Sequence, residues 1–352
     1  MNEQIEKILR TAIEYGASDV FLSCGSRPAL KINGKLVMIT ELPEITEEIF
    51  DDYMKIIADD DDLQIFADKH DNDFSADIEG IGRFRVNLFM QSKGPSASLR
   101  PIPNEVKTLD ELHLPEKLKS LCNLESGLVL VTGPAGVGKS TTIASMVNEV
   151  NRTQTKHIIT IEDPIEFVFK NESSLIEQRE VRHHSESFET ALKAALREAP
   201  DVILVGEMRD LETIALAVTA AETGHLVFAT LHTSGGPQTI DRIIDVFPPE
   251  QQSQIKTQLA MSLKAIIWQK LIRTADEKNR IPACEILIKN NAIANLIRKG
   301  STHQIYAIME TSRASGMQTM SGALNKFVDS GQITRQEANR HLGDIFKEEE
   351  PN

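Results

Sequence analysis

The sequence predicts an α/β protein with a smaller α+β region ahead of it, and three observations carry that prediction. The first is Gly133-Pro134-Ala135-Gly136-Val137-Gly138-Lys139-Ser140-Thr141, which follows an apolar, strand-length run over 127–132. Behind it, Ile143, Met146, Val147 and Val150 recur at helical spacing, so the motif sits at a strand-to-helix turn. The second is the alternation that follows: strands over 157–162, 202–206 and 226–231, and helices over 139–150, 187–198 and 211–222. Such alternation builds a mostly parallel sheet with helices on both faces. The third is a run of short antiparallel strands before residue 100, among helices.

The motif fits G-x-x-x-x-G-K-[ST], the phosphate-binding loop. Gly133, Gly136 and Gly138 let the backbone fold into a concavity whose N–H groups point at phosphate oxygens. The helix that follows adds its unpaired N–H groups and positive dipole end. Lys139 supplies a point charge for the β- and γ-phosphates, and Ser140 a hydroxyl for Mg²⁺. The expected ligands are ATP and Mg²⁺.

Composition narrows the class. At 352 residues there is room for two cores, and 26% charged with 41% hydrophobic residues describes an ordinary globular protein. A net charge of −14 argues against a general nucleic-acid binder. No apolar run approaches the roughly 20 residues of a membrane span, and the first residues have neither the basic flank nor the apolar core of a signal peptide. Cys24, Cys122 and Cys284 are scattered, which suggests neither a disulfide framework nor zinc.

In chain order, residues 2–15 read as an amphipathic helix with Ile5, Ile8, Leu9, Ala12 and Ile13 on one face. Strands over 19–23, 29–32 and 35–39 follow, the last two joined by Asn33-Gly34, a strong hairpin signal. Two helices over 46–57 and 61–69 flank the acidic cluster Asp59 to Asp62, read as a solvated helix junction. Residues 73–100 alternate as three antiparallel strands, with turns at Gly80 and Gly94. Arg83 and Arg85 share a strand face and Arg100 lies on the next strand, candidates for reaching triphosphate charge. Pro101 and Pro103 suggest a first domain over 1–100, a linker over 101–115 and an ATPase domain over 116–352. Past 236 the pattern reads as helical, except for a strand over 281–288, and 347–352 as a polar tail.

Two more strands end in carboxylates, where open α/β sheets place their chemistry. Ile158-Ile-Thr-Ile-Glu162-Asp163-Pro164 leaves Glu162 at a strand terminus, and Asp201-Val-Ile-Leu-Val-Gly206-Glu207 leaves Glu207. We assign Glu207 to Mg²⁺ and Glu162 to orienting or deprotonating the attacking water. Histidines bracket the fourth strand: His232 at its carboxyl end, and His225 at the opposite end, where chemistry alone favours a structural role.

In this order and spacing, GPAGVGKST, TIEDPIEF, DVILVGEMRD and AETGHLVFATLHT resemble the Walker A, aspartate, Walker B and histidine boxes of the secretion ATPase superfamily of type II secretion and type IV pili. Within it the chain is most similar to the pilus-retraction branch, PilT and PilU, over nearly its whole length. The resemblance implies a PAS-like N-terminal domain and a RecA-like ATPase domain, with arginines of the first reaching ATP between the domains. It raises both His225 and His232 to site residues. It also implies a homohexamer in the cytoplasm, peripheral to the inner membrane, with a platform protein and a paralogous retraction ATPase as partners. The branches with a four-cysteine zinc insertion and a longer N-terminus fit less well. One departure stands out: the retraction signature A-I-R-N-L-I-R-E reads Ala292-Ile-Ala294-Asn-Leu-Ile-Arg298-Lys299 here. The expected function is therefore an ATP-hydrolysing motor of pilus retraction (twitching motility). Its rivals are an accessory nucleotide-binding paralogue and, from the nucleic-acid class, a RecA-type translocase.

Overall fold

A computed structural model describes residues 3–103 and 105–348. The chain divides into two units, one of Met1–Glu105 with Pro164–Val168, the other of Val106–Asp163 with Phe169–Asn352.

The first unit contains α1 (Glu3–Glu14), β1 (Asp19–Ser23), β2 (Ala29–Ile32), β3 (Lys35–Met38), α2 (Glu47–Ile57), α3 (Asp60–Lys69), β4 (Asp71–Ile78), β5 (Gly82–Gln91) and β6 (Gly94–Ile102). Its strands form one antiparallel sheet in the order β3-β2-β1-β6-β5-β4. Strict alternation sends Phe84, Val86, Leu88, Leu99 and Ala97 inward, against the apolar faces of α1 and α2. Ile5, Ile8, Leu9 and Ala12 are buried as expected, while Ile13, at the margin of that stripe, is 44% exposed. The acidic cluster is a helix start: Asp59 caps α3 by accepting the Asp62 N–H at 2.8 Å.

The second unit begins with α4 (Lys117–Cys122), β7 (Gly127–Thr132), α5 (Lys139–Thr153), β8 (His157–Glu162), β9 (Leu175–Glu180) and α6 (Phe188–Ala195). It continues with β10 (Val202–Val205), α7 (Leu211–Glu222), β11 (Leu226–Leu231), α8 (Gly236–Asp245) and α9 (Pro249–Ser262). Two strands, β12 (Leu263–Arg273) and β13 (Arg280–Ile288), precede α10 (Asn291–Lys299), α11 (Ile305–Thr311), α12 (Met320–Asp329) and α13 (Arg335–Glu348). The sheet order is β13-β12-β7-β11-β10-β8-β9, parallel except for β13. Its central strands β7, β10 and β11 are buried along their whole length, and separate apolar clusters cover the two faces.

Two strands depart from the sequence reading. Leu263–Arg273 lies in a stretch expected to be helical, yet it is an 11-residue strand between β7 and β13. A short apolar run such as Ala265–Trp268 fits a buried helix or a buried strand equally well, and the partners on both sides decide it. Leu175–Glu180, polar at four of its six positions, was not anticipated; it closes the sheet edge beside β8. The polar tail expected over 347–352 falls, from 349 onward, outside the described residues.

Burial keeps the thiols quiet. Cys24, Cys122 and Cys284 are free and buried, and burial pushes the last two thiols up to about 12.

Candidate functional site

The parallel register decides which side chains meet. The phosphate loop leaves the carboxyl end of β7; Glu162 ends β8, Glu207 follows β10, and His232 follows β11. All four therefore share one edge of the sheet, as the sequence reading placed them.

The loop is shaped by glycines that no other residue replaces cheaply. Gly133 (φ +142°), Gly136 (φ +76°) and Gly138 (φ +87°) all adopt positive φ. At Gly133 a Cβ would also meet the Gln269 carbonyl at 2.6 Å. Gly133→Ala is expected to cost about 1–3 kcal/mol from backbone strain alone, with more from the clash. A lower melting temperature together with lost nucleotide affinity tests this; an unchanged melting temperature refutes it. Beyond the last glycine, α5 starts at Lys139, whose Nζ donates to the carbonyls of Gly133 (2.8 Å) and Pro134 (2.9 Å). The ammonium is thus held over the concavity although only 8% of the residue is exposed. Pro134 and Ala135 are exposed at the tip, Val137 is buried beneath it, and Ser140 and Thr141 lie part-exposed on the first turn of α5.

Gln269 is the residue that motif reasoning missed. Buried in β12, its amide donates to the Val137 carbonyl at 2.7 Å and accepts the Thr142 hydroxyl at 2.7 Å. One side chain thus ties the loop crest to the first turn of α5. The only hint in the sequence is a glutamine inside an apolar run.

Glu162 is 9% exposed, and its Oε1 accepts from Thr160 Oγ1 (2.7 Å) and Gln178 Nε2 (3.3 Å). Thr160 is two residues back on the same strand face, and Gln178 comes from β9, the unanticipated strand. Glu162 stands opposite Gly206 in register, since Ile161 pairs with Val205. A Cβ on Gly206 would lie 3.3 Å from Glu162 Cα, so the glycine permits this close approach.

Glu207 is engaged as well. Arg209 Nη2 lies 2.7 Å from its Oε2, and His232 Nε2 lies 3.4 Å from its Oε1. His232 therefore joins the carboxylate edge, and Arg209 adds a cation that the sequence reading had not singled out.

His225 precedes β11 at the opposite edge of the sheet, about 20 Å from His232 for a six-residue strand. Its Nδ1 lies 2.9 Å from the Ala220 carbonyl, so this nitrogen donates and ties off the end of α7. Arg83, Arg85 and Arg100 belong to the first unit, on the sheet face away from its core. Arg85 and Arg100 are direct cross-strand partners. Arg85 pairs bidentately with Asp73 (3.1 and 2.6 Å), Arg100 binds Asp19 (2.8 Å), and Arg83 donates to Ser75.

Beside the loop, the second unit carries a cavity of about 750 Å³. It runs from Gly138, Thr141 and Gln269 to Lys107, His113 and Arg280. A volume of that size suits a small-molecule ligand.

Comparison with known proteins agrees with this geometry. The profile of the Type II/IV secretion system protein family matches residues 1–347. The type IV pilus retraction ATPase PilT of Pseudomonas aeruginosa is 45% identical over 334 residues, 95% of this chain and 96% of that one. The type IV pilus ATPase PilU of the same organism is 41% identical over 338 residues, 96% of this chain and 88% of that one. The crystal structure of the pilus retraction motor PilT with bound ADP superposes with a TM-score of 0.89 at 46% identity, covering 95% of each chain. Matched along residues 1–347 and alike to these relatives over nearly its whole length, the chain belongs to the type II/IV secretion system protein family.

Proposed function

We propose that this protein is an ATP-hydrolysing motor of a type IV pilus machine, working in pilus retraction. The observation that carries the reading is the carboxylate pair: Glu162 and Glu207 end neighbouring strands on the edge that bears the phosphate loop. A mere nucleotide binder needs the loop and not the pair. Glu162, its orientation set by Thr160 and Gln178, takes the role of positioning the attacking water and receiving its proton. Lys139 and the loop N–H groups hold the phosphates.

Mg²⁺ belongs to the same reading, and the donors suit it. Ser140 carries a hydroxyl with no other hydrogen bond among the described residues, and Glu207 a half-buried carboxylate. Bound there, the ion would neutralise charge on the triphosphate. Arg83, Arg85 and Arg100 serve as further cations for the triphosphate in an assembled ring, exchanging their present partners for phosphate oxygens. The ring is a homohexamer that works at the cytoplasmic side of the inner membrane, on a platform protein and beside a paralogous retraction ATPase. No helix among the described residues is long and apolar enough to cross a membrane.

The accessory role is favoured by one local observation. In the altered signature, Ala294 is 5% exposed and packs into the ATPase core, while Lys299 is exposed on the last turn of α10. The first departure is thus a packing change and the second a surface charge change. Steady-state ATP hydrolysis measured with native mass separates the readings. A six-subunit particle that turns over ATP supports the motor. A particle that binds ATP without turnover supports the accessory paralogue, and DNA-stimulated turnover would support the translocase.

A further inference from the structure

The ATPase unit carries a second concentration of charge, at the edge of the sheet opposite the phosphate loop. Lys264 is the second residue of β12 and Lys289 follows β13; the backbone N–H of Lys289 donates to the Lys264 carbonyl at 2.9 Å, so the two lysines face each other across the strand pair. Like charges placed directly opposite repel. Arg298, on the last turn of α10, adds to the same field: burial lowers the Lys289 pKa from its ordinary value, and Lys264 and Arg298 lower it further. None of these three cations forms an ion pair among the described residues. Among the described residues, the one hydrogen bond of Lys289 Nζ goes to the Met261 carbonyl, at 3.4 Å. The Lys264 stem lies over Gly127, where a Cβ would meet it at 2.3 Å. Met261, at the end of α9, is 49% exposed and supplies an apolar contact beside the charges.

A protein with net charge −14 has carboxylates in surplus, yet none among the described residues pairs with this cluster. We propose that the surface of Lys264, Lys289, Arg298 and Met261 docks an acidic segment of a partner protein. Carboxylates would relieve the repulsion, and an apolar side chain of the same segment would cover Met261. Anionic lipid fits less well, because stable attraction to such a membrane takes about 4–8 clustered cations and the rest of this chain would be repelled. Nucleic acid fits less well for the same reason. The proposal is independent of the hydrolytic reading, since none of these residues lies at the phosphate loop.

The test is fluorescence anisotropy of the full-length protein with a fluorescein-labelled hexaglutamate peptide ending in leucine. Saturable, salt-sensitive binding is expected, weakened about tenfold or more by Lys264→Glu with Arg298→Glu. The neutral pair Lys264→Gln with Arg298→Gln should weaken it less, and ATP hydrolysis should be unchanged in both. Lys289→Gln should reduce peptide binding while leaving the melting temperature equal or higher, since it removes a repelled charge. Several outcomes overturn the proposal. They are peptide binding that ignores the substitutions, a Lys289→Gln protein that melts several degrees lower, and phosphatidylglycerol vesicles that bind through these residues when the peptide does not. A change in native mass on charge reversal also overturns it, because the surface would then be a contact between copies.

Discussion

Changing Lys139 to Ala is expected to lower ATP hydrolysis by about 10²–10³-fold, the usual cost of removing one fixed electrostatic donor from a transition state. The ammonium is buried to 8% exposure and held by two loop carbonyls, so its charge is worth more than it would be in water. Those carbonyls each lose a donor in the variant. At about 0.5–1.5 kcal/mol per net hydrogen bond, the melting temperature should fall by no more than a few degrees. Steady-state hydrolysis paired with a thermal melt checks both parts. Near-normal turnover in a folded variant would remove the loop from the chemistry, whereas a gross loss of stability would make the rate uninformative.

Glu162→Gln is expected to lower hydrolysis by about 10²–10⁴-fold while nucleotide binding survives. The substitution keeps the side chain's volume and leaves an amide oxygen to accept from Thr160, which now donates to Oε1 at 2.7 Å. What disappears is the capacity to take a proton from water. The pairing of outcomes is diagnostic: binding lost together with turnover would point to a role in holding nucleotide. An unchanged rate would transfer the base role to Glu207, whose carboxylate already faces Arg209 and His232. Thr160→Val, which removes the donor to Oε1, should produce a smaller fall in the same direction.

Local pattern read much of the ATPase unit correctly. The strands at 127–132, 157–162 and 226–231 match their observed bounds, because buried parallel strands are short apolar runs cut off by glycine, proline and carboxylate. The phosphate loop was legible because its function constrains consecutive residues. Its brace was not. Gln269 lies 132 positions beyond the Val137 carbonyl it holds, and no local signal joins the two. Gln178 escaped for a related reason: it sits on a strand too polar to stand out, and its partner Glu162 lies on the neighbouring strand. The separation of His225 and His232 was legible, since residues that bracket one strand in sequence must lie at opposite edges of the sheet.

By itself, the sequence determined the residue types of the site and the fold class that presents them. Glycines that tolerate positive φ, a lysine on the following helix and carboxylates at strand ends are local necessities of phosphate chemistry. The tertiary structure decided which of these meet. The order β12-β7-β11-β10-β8 places His232, Glu207 and Glu162 progressively farther from the loop, at about 4.8 Å per strand. It also turned an expected helical stretch into β12 and set Lys264 against Lys289. Strand pairing joins residues a hundred or more positions apart, and its energy comes from burial and hydrogen bonds that exist only once the partners are in place.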